Sequence, residues 1–189
     1  MADFKIAYDE TMGNEGGYAN VQGDPGGETW KGIARNFWPN WEGWKTIDEW
    51  KNGGNPNWKN LMKEELEPNV QDFYKVQFWN RILGDQIRNQ EVANELFDSA
   101  VNMGVSKAVT FLQEALSIFQ NAVVIVADGN FGGITFKCLD KFLLSSTEHR
   151  IKAFLLDLNV QQGAWYHHLA KEHGMSKFIE GWYNRVGLE

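Results

Sequence analysis

Near the N-terminus, apolar residues recur at helical spacing. Phe4, Ala7, Tyr8, Thr11, Met12 and Glu15 fall at i, i+3, i+4, i+7, i+8 and i+11, one face of a helix. Gly16 and Gly17 then end it, as glycine does at helix C-termini. Glu15 is therefore expected at the last turn, where the core-facing stripe meets a glycine-rich loop. Residues 18–33 read as a hairpin or short sheet with Asp24-Pro25-Gly26 as the turn signal. Residues 37–60 show no clear period and are rich in tryptophan. Helices are expected at about 61–83, broken by Pro68, and at about 90–103, with Val92, Leu96, Ala100 and Met103 on one face. Another runs from about Ser106 to Phe119, aligning Val109, Leu112, Leu116 and Phe119. After the loop at 126–133 come helices at about 135–144, 147–173 and 177–184. No internal repeat or low-complexity linker interrupts the pattern. It specifies a mainly α protein with one small β element.

Composition narrows the class. With 189 residues, 43% hydrophobic and 23% charged, the chain can bury a core and is not a disordered polymer. No apolar run approaches the ~18 residues of a membrane span, so no membrane insertion is expected. Residues 1–10 lack the apolar core of a secretory signal. A net charge of −7 argues against nucleic acid, whose backbone demands clustered Lys and Arg. The single cysteine, Cys138, rules out an internal disulfide and sits among apolar residues, which favours a buried structural thiol over a nucleophile. His149, His167, His168 and His173 do not form a His-Glu-x-x-His zinc spacing, and neither a Gly-x-Ser-x-Gly elbow nor a Ser-x-x-Lys is present. No metal or cofactor is expected.

Chemistry concentrates around two carboxylates. A semi-buried Glu15 at the negative end of a helix should have its pKa raised towards that of a general acid. Asp24, in a polar turn, should stay ionised. Two carboxyl groups in unequal environments suit glycoside cleavage, one protonating the leaving oxygen and the other handling water. Thr29 could orient that water. On spacing alone, a purely structural role is equally consistent: Glu15 closing a turn and Asp24 making an Asx-turn with Pro25 and Gly26. Six of the nine tryptophans (Trp30, Trp38, Trp41, Trp44, Trp50 and Trp58) crowd into residues 30–58. Most should pack an irregular loop; Trp30, next to Thr29, is the one expected to face a sugar ring.

The stretch NEGGYANVQGDPGGETWKGIA resembles the motif of the glycoside hydrolase family 108 lysozymes, N-acetylmuramidases also labelled secretion activators. Its elements are Glu15-Gly16-Gly17-Tyr18, Asp24 to Thr29, and Gly32-Ile33. FWNRI (78–82), LFDSAVNMG (96–104), LQEAL (112–116), DGNFGGIT (128–135) and GWYNRV (181–186) are similar to its later blocks, so the likeness runs nearly end to end. The second half resembles a peptidoglycan-binding module through Asp128, Gly129, Gly132 and Thr135, with Gly133 where proline is usual. Those residues equally suit a helix start, with Thr135 as N-cap and Asp128 turning the chain. Calcium is not expected there, because Leu139 occupies the twelfth position, where a carboxylate is required.

The resemblance implies a lysozyme-like fold spanning residues 1–189, with a muramidase half at 4–90 and a helical, peptidoglycan-binding-like half at 91–189. It implies Glu15 as the catalytic acid. The order Glu, Asp, Thr is also similar to phage-type lysozymes, where Asp and Thr hold the attacking water. That assigns Asp24 and Thr29 to the water and an inverting outcome, with Tyr18, Trp30, Asp98 and Asn102 as substrate contacts. The implied reaction is hydrolysis of the β-1,4 bond between N-acetylmuramic acid and N-acetylglucosamine by a monomer acting on peptidoglycan glycan strands. Synthesis in the cytoplasm without a signal peptide implies that release or dedicated secretion machinery delivers it to the wall. Because the wall is itself anionic, Lys31 and Arg35 are expected to form a compensating basic patch. A non-catalytic wall-binding or secretion-related protein, or a lytic transglycosylase needing only Glu15, are the alternatives.

Overall fold

A computed structural model describes residues 1–13, 17–54, 56–120 and 125–186, without the side chains of residues 61 and 62. Its elements in chain order are α1 (Phe4–Met12), β1 (Tyr18–Asn20), β2 (Glu28–Trp30), β3 (Ile33–Ala34), α2 (Gly43–Asn52), α3 (Trp58–Tyr74), α4 (Gln90–Met103), α5 (Val105–Gln120), α6 (Gly133–Ser145), α7 (Glu148–Glu172) and α8 (Ile179–Tyr183). Short 3₁₀ or π turns lie at Lys75–Trp79, Asn80–Ile82, Gly84–Gln86, Ser176–Phe178 and Asn184–Val186. The fold is mainly α, as the apolar pattern specifies. The chain divides into two compact units, Tyr8–Gln77 and Met1–Ala7 with Phe78–Glu189.

In the Tyr8–Gln77 unit, the expected stripe of α1 is realised: Tyr8, Thr11 and Met12 are buried. The three strands form one antiparallel sheet in the order β1-β2-β3, one strand more than a hairpin. Tyr18 pairs with Trp30, Ala19 with Thr29 and Asn20 with Glu28; Thr29 pairs in turn with Ala34, and Trp30 with Ile33. Lys31 (φ 43°) and Gly32 (φ 78°) make the two-residue connection between β2 and β3. Positive φ at both positions is the type I′ turn, whose twist matches the strands it joins. Trp30, Ile33, Trp44, Ile47, Leu66 and Val70 form the core, each removing apolar area worth about 1.5–3 kcal/mol.

Two expectations for this unit are corrected. Residues 37–60 are not all irregular, because α2 buries Trp44 and Ile47 at i, i+3 spacing. Pro68 does not break its helix: α3 runs through it to Tyr74. Proline removes only its own N–H, and both Pro68 and Glu64, whose carbonyl loses that donor, are exposed.

The larger unit is built on α4, α5 and α7. Asn89 caps α4 by accepting the Val92 N–H at 2.9 Å, and Thr147 caps α7 by accepting from Arg150. Val92, Leu96, Ala100, Val109, Leu112 and Leu116 are buried as the helical periods require. Phe119, Phe142 and Phe154 meet at ring separations of 4.5–5.9 Å. Thr135 is not an N-cap: α6 begins at Gly133, and Thr135 is buried in its first turn. There its hydroxyl accepts from Gln113 Nε2 at 3.0 Å, while Gln113 Nε2 also donates to Asp128 at 2.9 Å. Asp128, Asn130 and Thr135 are thus tied to one buried glutamine, which supports the structural reading of that loop. Cys138 is half-buried, not fully enclosed.

Candidate active site

The motif residues sit on and around the small sheet. Glu15, with Asn14 and Gly16, lies outside the described residues. Hydrogen bonds hold the residues on either side of it. Seven positions earlier, Tyr8 donates its hydroxyl to Glu67 at 2.8 Å. Two positions later, the Gly17 carbonyl accepts the Lys31 N–H at 3.0 Å. Lys31 is held at both of its other polar ends: Tyr74 donates to its carbonyl at 2.7 Å, and its ammonium meets Glu67 at 2.6 Å. One carboxylate on α3 therefore braces both ends of the segment that carries Glu15.

Electrostatics agree with this arrangement. Burial pushes the Glu67 carboxyl up, but hydrogen bonds from Lys31, Tyr8 and Gln71 outweigh it and leave the pKa lowered. Burial, then Glu67, push the Tyr8 phenol up. A carboxyl whose folded pKa is depressed stabilises the protein above its ordinary value of ~4.3, and the contribution is lost as pH falls through the folded value. Glu67→Gln is expected to cost about 1–2 kcal/mol at pH 7. Its melting temperature should converge with that of the wild type as the pH drops below that range. Thermal unfolding from acid to neutral pH checks this; a deficit equal at both ends would contradict the assignment.

Asp24 closes one turn and opens the next, its N–H donating to Val21 O at 3.1 Å and its carbonyl accepting from Gly27 at 3.0 Å. Its Oδ1 accepts the Gly26 N–H at 2.8 Å, the Asx-turn that the Asp-Pro-Gly sequence suggests. The side chain is exposed, and Oδ2 has no partner among the described residues. A Cβ on Gly26 would stand 3.0 Å from Ala34 Cβ and 3.2 Å from Asp24 Oδ1, so glycine there lets the carboxylate settle beside Ala34. Ala34 is the register partner of Thr29, and Ala19 is the other. Residues directly opposite each other share a face of the sheet. Thr29 thus shares its face of the sheet with two alanines, and the Asp24 turn approaches Ala34 through Gly26. Thr29 Oγ1 donates to Gly27 O at 3.2 Å, which leaves its lone pairs available to accept.

The opposite face holds the other motif side chains. Glu28, Trp30, Tyr18 and Asn20 alternate onto it. Glu28 meets Lys51 at 2.7 Å and Arg35 Nε at 2.8 Å, the latter without its N–H directed at the oxygen. Arg35 also makes a bidentate pair with Asp48 at 2.7 and 3.0 Å and lies over the Trp44 ring. Lys31 and Arg35 are therefore engaged with carboxylates and do not form the expected basic patch.

Trp30, expected against a sugar, is wholly buried, and its indole N–H has no partner among the described residues. With no ring face open, it is a core residue. Tyr18 is half-buried, its ring covered by the Lys59 ammonium at 4.8 Å and the Trp58 edge at 4.8 Å. Burial and a hydrogen bond with Glu28 push its phenol up.

Asp98 and Asn102 belong to the larger unit. Asp98 pairs with Arg185 at 3.1 Å, accepts from Gln162 at 3.4 Å, and receives the Asn102 amide on its backbone carbonyl at 2.7 Å. Burial pushes its carboxyl up against the pull of Arg185. Its carboxylate thus joins α4 to α7 and the C-terminal turn, and Asn102 is exposed beside it. Among the described residues, no group of three or more His, Cys, Asp or Glu could hold a metal ion, and no helix is long and apolar enough to cross a membrane.

The chain belongs to the glycosyl hydrolase 108 family, whose model matches residues 8–104, just over half of its length. Residues 107–187 match a second family, described as a predicted peptidoglycan domain. Among solved structures, the chain is similar to SagA of Brucella abortus, with 27% identity and a TM-score of 0.62 over 97% of this chain and 88% of that one. No curated protein matches significantly. Asp98 and Arg185 thus tie the end of the first family region to the end of the second.

Proposed function

We propose that the protein is an N-acetylmuramidase that hydrolyses the β-1,4 bond between N-acetylmuramic acid and N-acetylglucosamine. Membership of a glycosyl hydrolase family supports glycoside cleavage, and the peptidoglycan domain supports peptidoglycan as its polymer. One observation supports the finer reading: the Asp24 turn and the Thr29 strand both adjoin Ala34, and Asp24 and Thr29 each keep unused acceptor capacity. In this mechanism Glu15 donates a proton to the glycosidic oxygen as the C1–O bond breaks. Asp24 accepts a proton from a water that Thr29 helps to orient, and that water attacks C1 from the opposite face. Delivery from the opposite face inverts the anomeric carbon and calls for carboxyl groups about 6.5–9.5 Å apart.

Asp24→Asn tests it. The amide keeps an oxygen for the Gly26 N–H, so the turn survives while the base is lost. Wall digestion should fall about 10²–10⁴-fold, the usual contribution of a general base, with binding of chitooligosaccharide retained. Turnover at the wild-type rate would remove Asp24 from the mechanism.

A further inference from the structure

Next to the Asp24 turn, the Tyr8–Gln77 unit contains a cavity of about 390 Å³ that the catalytic reading does not use. Phe37 connects the two. Its ring lies 3.7 Å from where a Gly26 Cβ would be, and it also lines the cavity while 66% exposed. The aromatic walls are held in place. Trp38 meets Phe73 edge-on at 4.9 Å, and Trp41 meets Trp44 at 5.1 Å. The Trp41 indole donates to Asn69 O at 3.3 Å, and its ring lies where a side chain on Gly43 would stand. Glu42 and Asp72 supply carboxylates at the rim, and neither has a cation partner among the described residues.

Fixed aromatic surfaces with nearby carboxylates fit a ligand that has one apolar face and an edge of hydroxyls. A pyranose ring has both. The size is that of an ordinary small-ligand site, about 300–1,000 Å³, and much more than an ammonium group needs. Two unpaired carboxylates repel the lactyl carboxylate of a muramic acid. We infer that this cavity is an accessory saccharide site that takes a neutral N-acetylhexosamine residue of a glycan strand, beside the Asp24 turn. In naming the glycan as the ligand's source, this site presupposes the muramidase reading.

Binding of tri-N-acetylchitotriose to the full-length Glu15→Gln protein tests it, followed through assigned tryptophan indole N–H resonances. Trp38 and Trp41 should shift, and Trp165, which lies on α7 in the other unit, should not. Asp72→Ala, made in the Glu15→Gln background, should weaken the affinity about tenfold or more, the loss expected for one hydrogen bond to a charged acceptor, and Phe37→Ala about threefold to tenfold through lost ring contact. Both side chains are exposed, so neither change empties the core. N-acetylmuramic acid should bind more weakly than N-acetylglucosamine. Unchanged affinity in both variants, or shifts that avoid Trp38 and Trp41, would overturn the site. Wall digestion by the wild type, measured separately, decides the muramidase reading whatever the titration shows.

Discussion

Glu15→Gln is expected to abolish wall digestion, lowering the rate at least ~10²–10⁴-fold, while the protein stays folded. Glutamine matches glutamate in shape but has no proton to give to a leaving sugar oxygen. The surroundings should hold such a variant in place. Tyr8 on one side and Gly17 on the other are fixed through Glu67 and Lys31 by bonds of 2.6–3.0 Å, none of which involves the Glu15 carboxyl. The expected result is therefore a loss of kcat with an almost unchanged melting curve. Sacculi cleared by this variant at the wild-type rate would remove Glu15 from the chemistry.

Gly32→Ala should have the largest effect on stability. A Cβ there would stand 2.6 Å from the Tyr74 hydroxyl, at a φ of +78° that side chains rarely adopt. The left-handed conformation costs about 1–2 kcal/mol and the clash about 1–3 more. The clash also falls on the hydroxyl that holds the Lys31 carbonyl, so the brace on Gly17 slackens as the turn shifts. Wall digestion should drop along with the melting temperature. Gly54→Ala is the comparison, since Gly54 also has a positive φ (72°) but meets nothing within 4 Å among the described residues. It should show the conformational cost alone. Equal losses in the two variants would mean that the Tyr74 contact contributes nothing.

The fold was legible wherever an element buries one face. Val92, Leu96 and Ala100, and then Val109, Leu112 and Leu116, repeat at helical spacing because one side of each helix packs and the other meets water. The helix at Gly43–Asn52 escaped because its apolar signal is two residues, Trp44 and Ile47, among glycines and other tryptophans. In the site, Asp-Pro-Gly announced the turn that carries Asp24, because local turn chemistry decides that conformation. The Trp30 expectation failed on a rule already present in the sequence. Adjacent strand residues point to opposite faces, so Thr29 and Trp30 cannot both face the substrate. Glu67 was out of reach of such rules, since its partners Tyr8 and Lys31 are 59 and 36 positions away in sequence. The Lys-Gly pair after β2, an I′ turn in the structure, was the one local sign that something fixes that point.

The central claim is that a water, delivered by Asp24 and Thr29, completes what Glu15 starts. Digestion of purified sacculi followed by mass spectrometry of the soluble fragments tests it most directly. A protein that delivers water yields muropeptides ending in ordinary reducing muramic acid, with the anomeric carbon inverted at the moment of release. Fragments lighter by one water, ending in 1,6-anhydromuramic acid, would show that the sugar closes on itself with no use for Asp24 or Thr29, and would contradict the account.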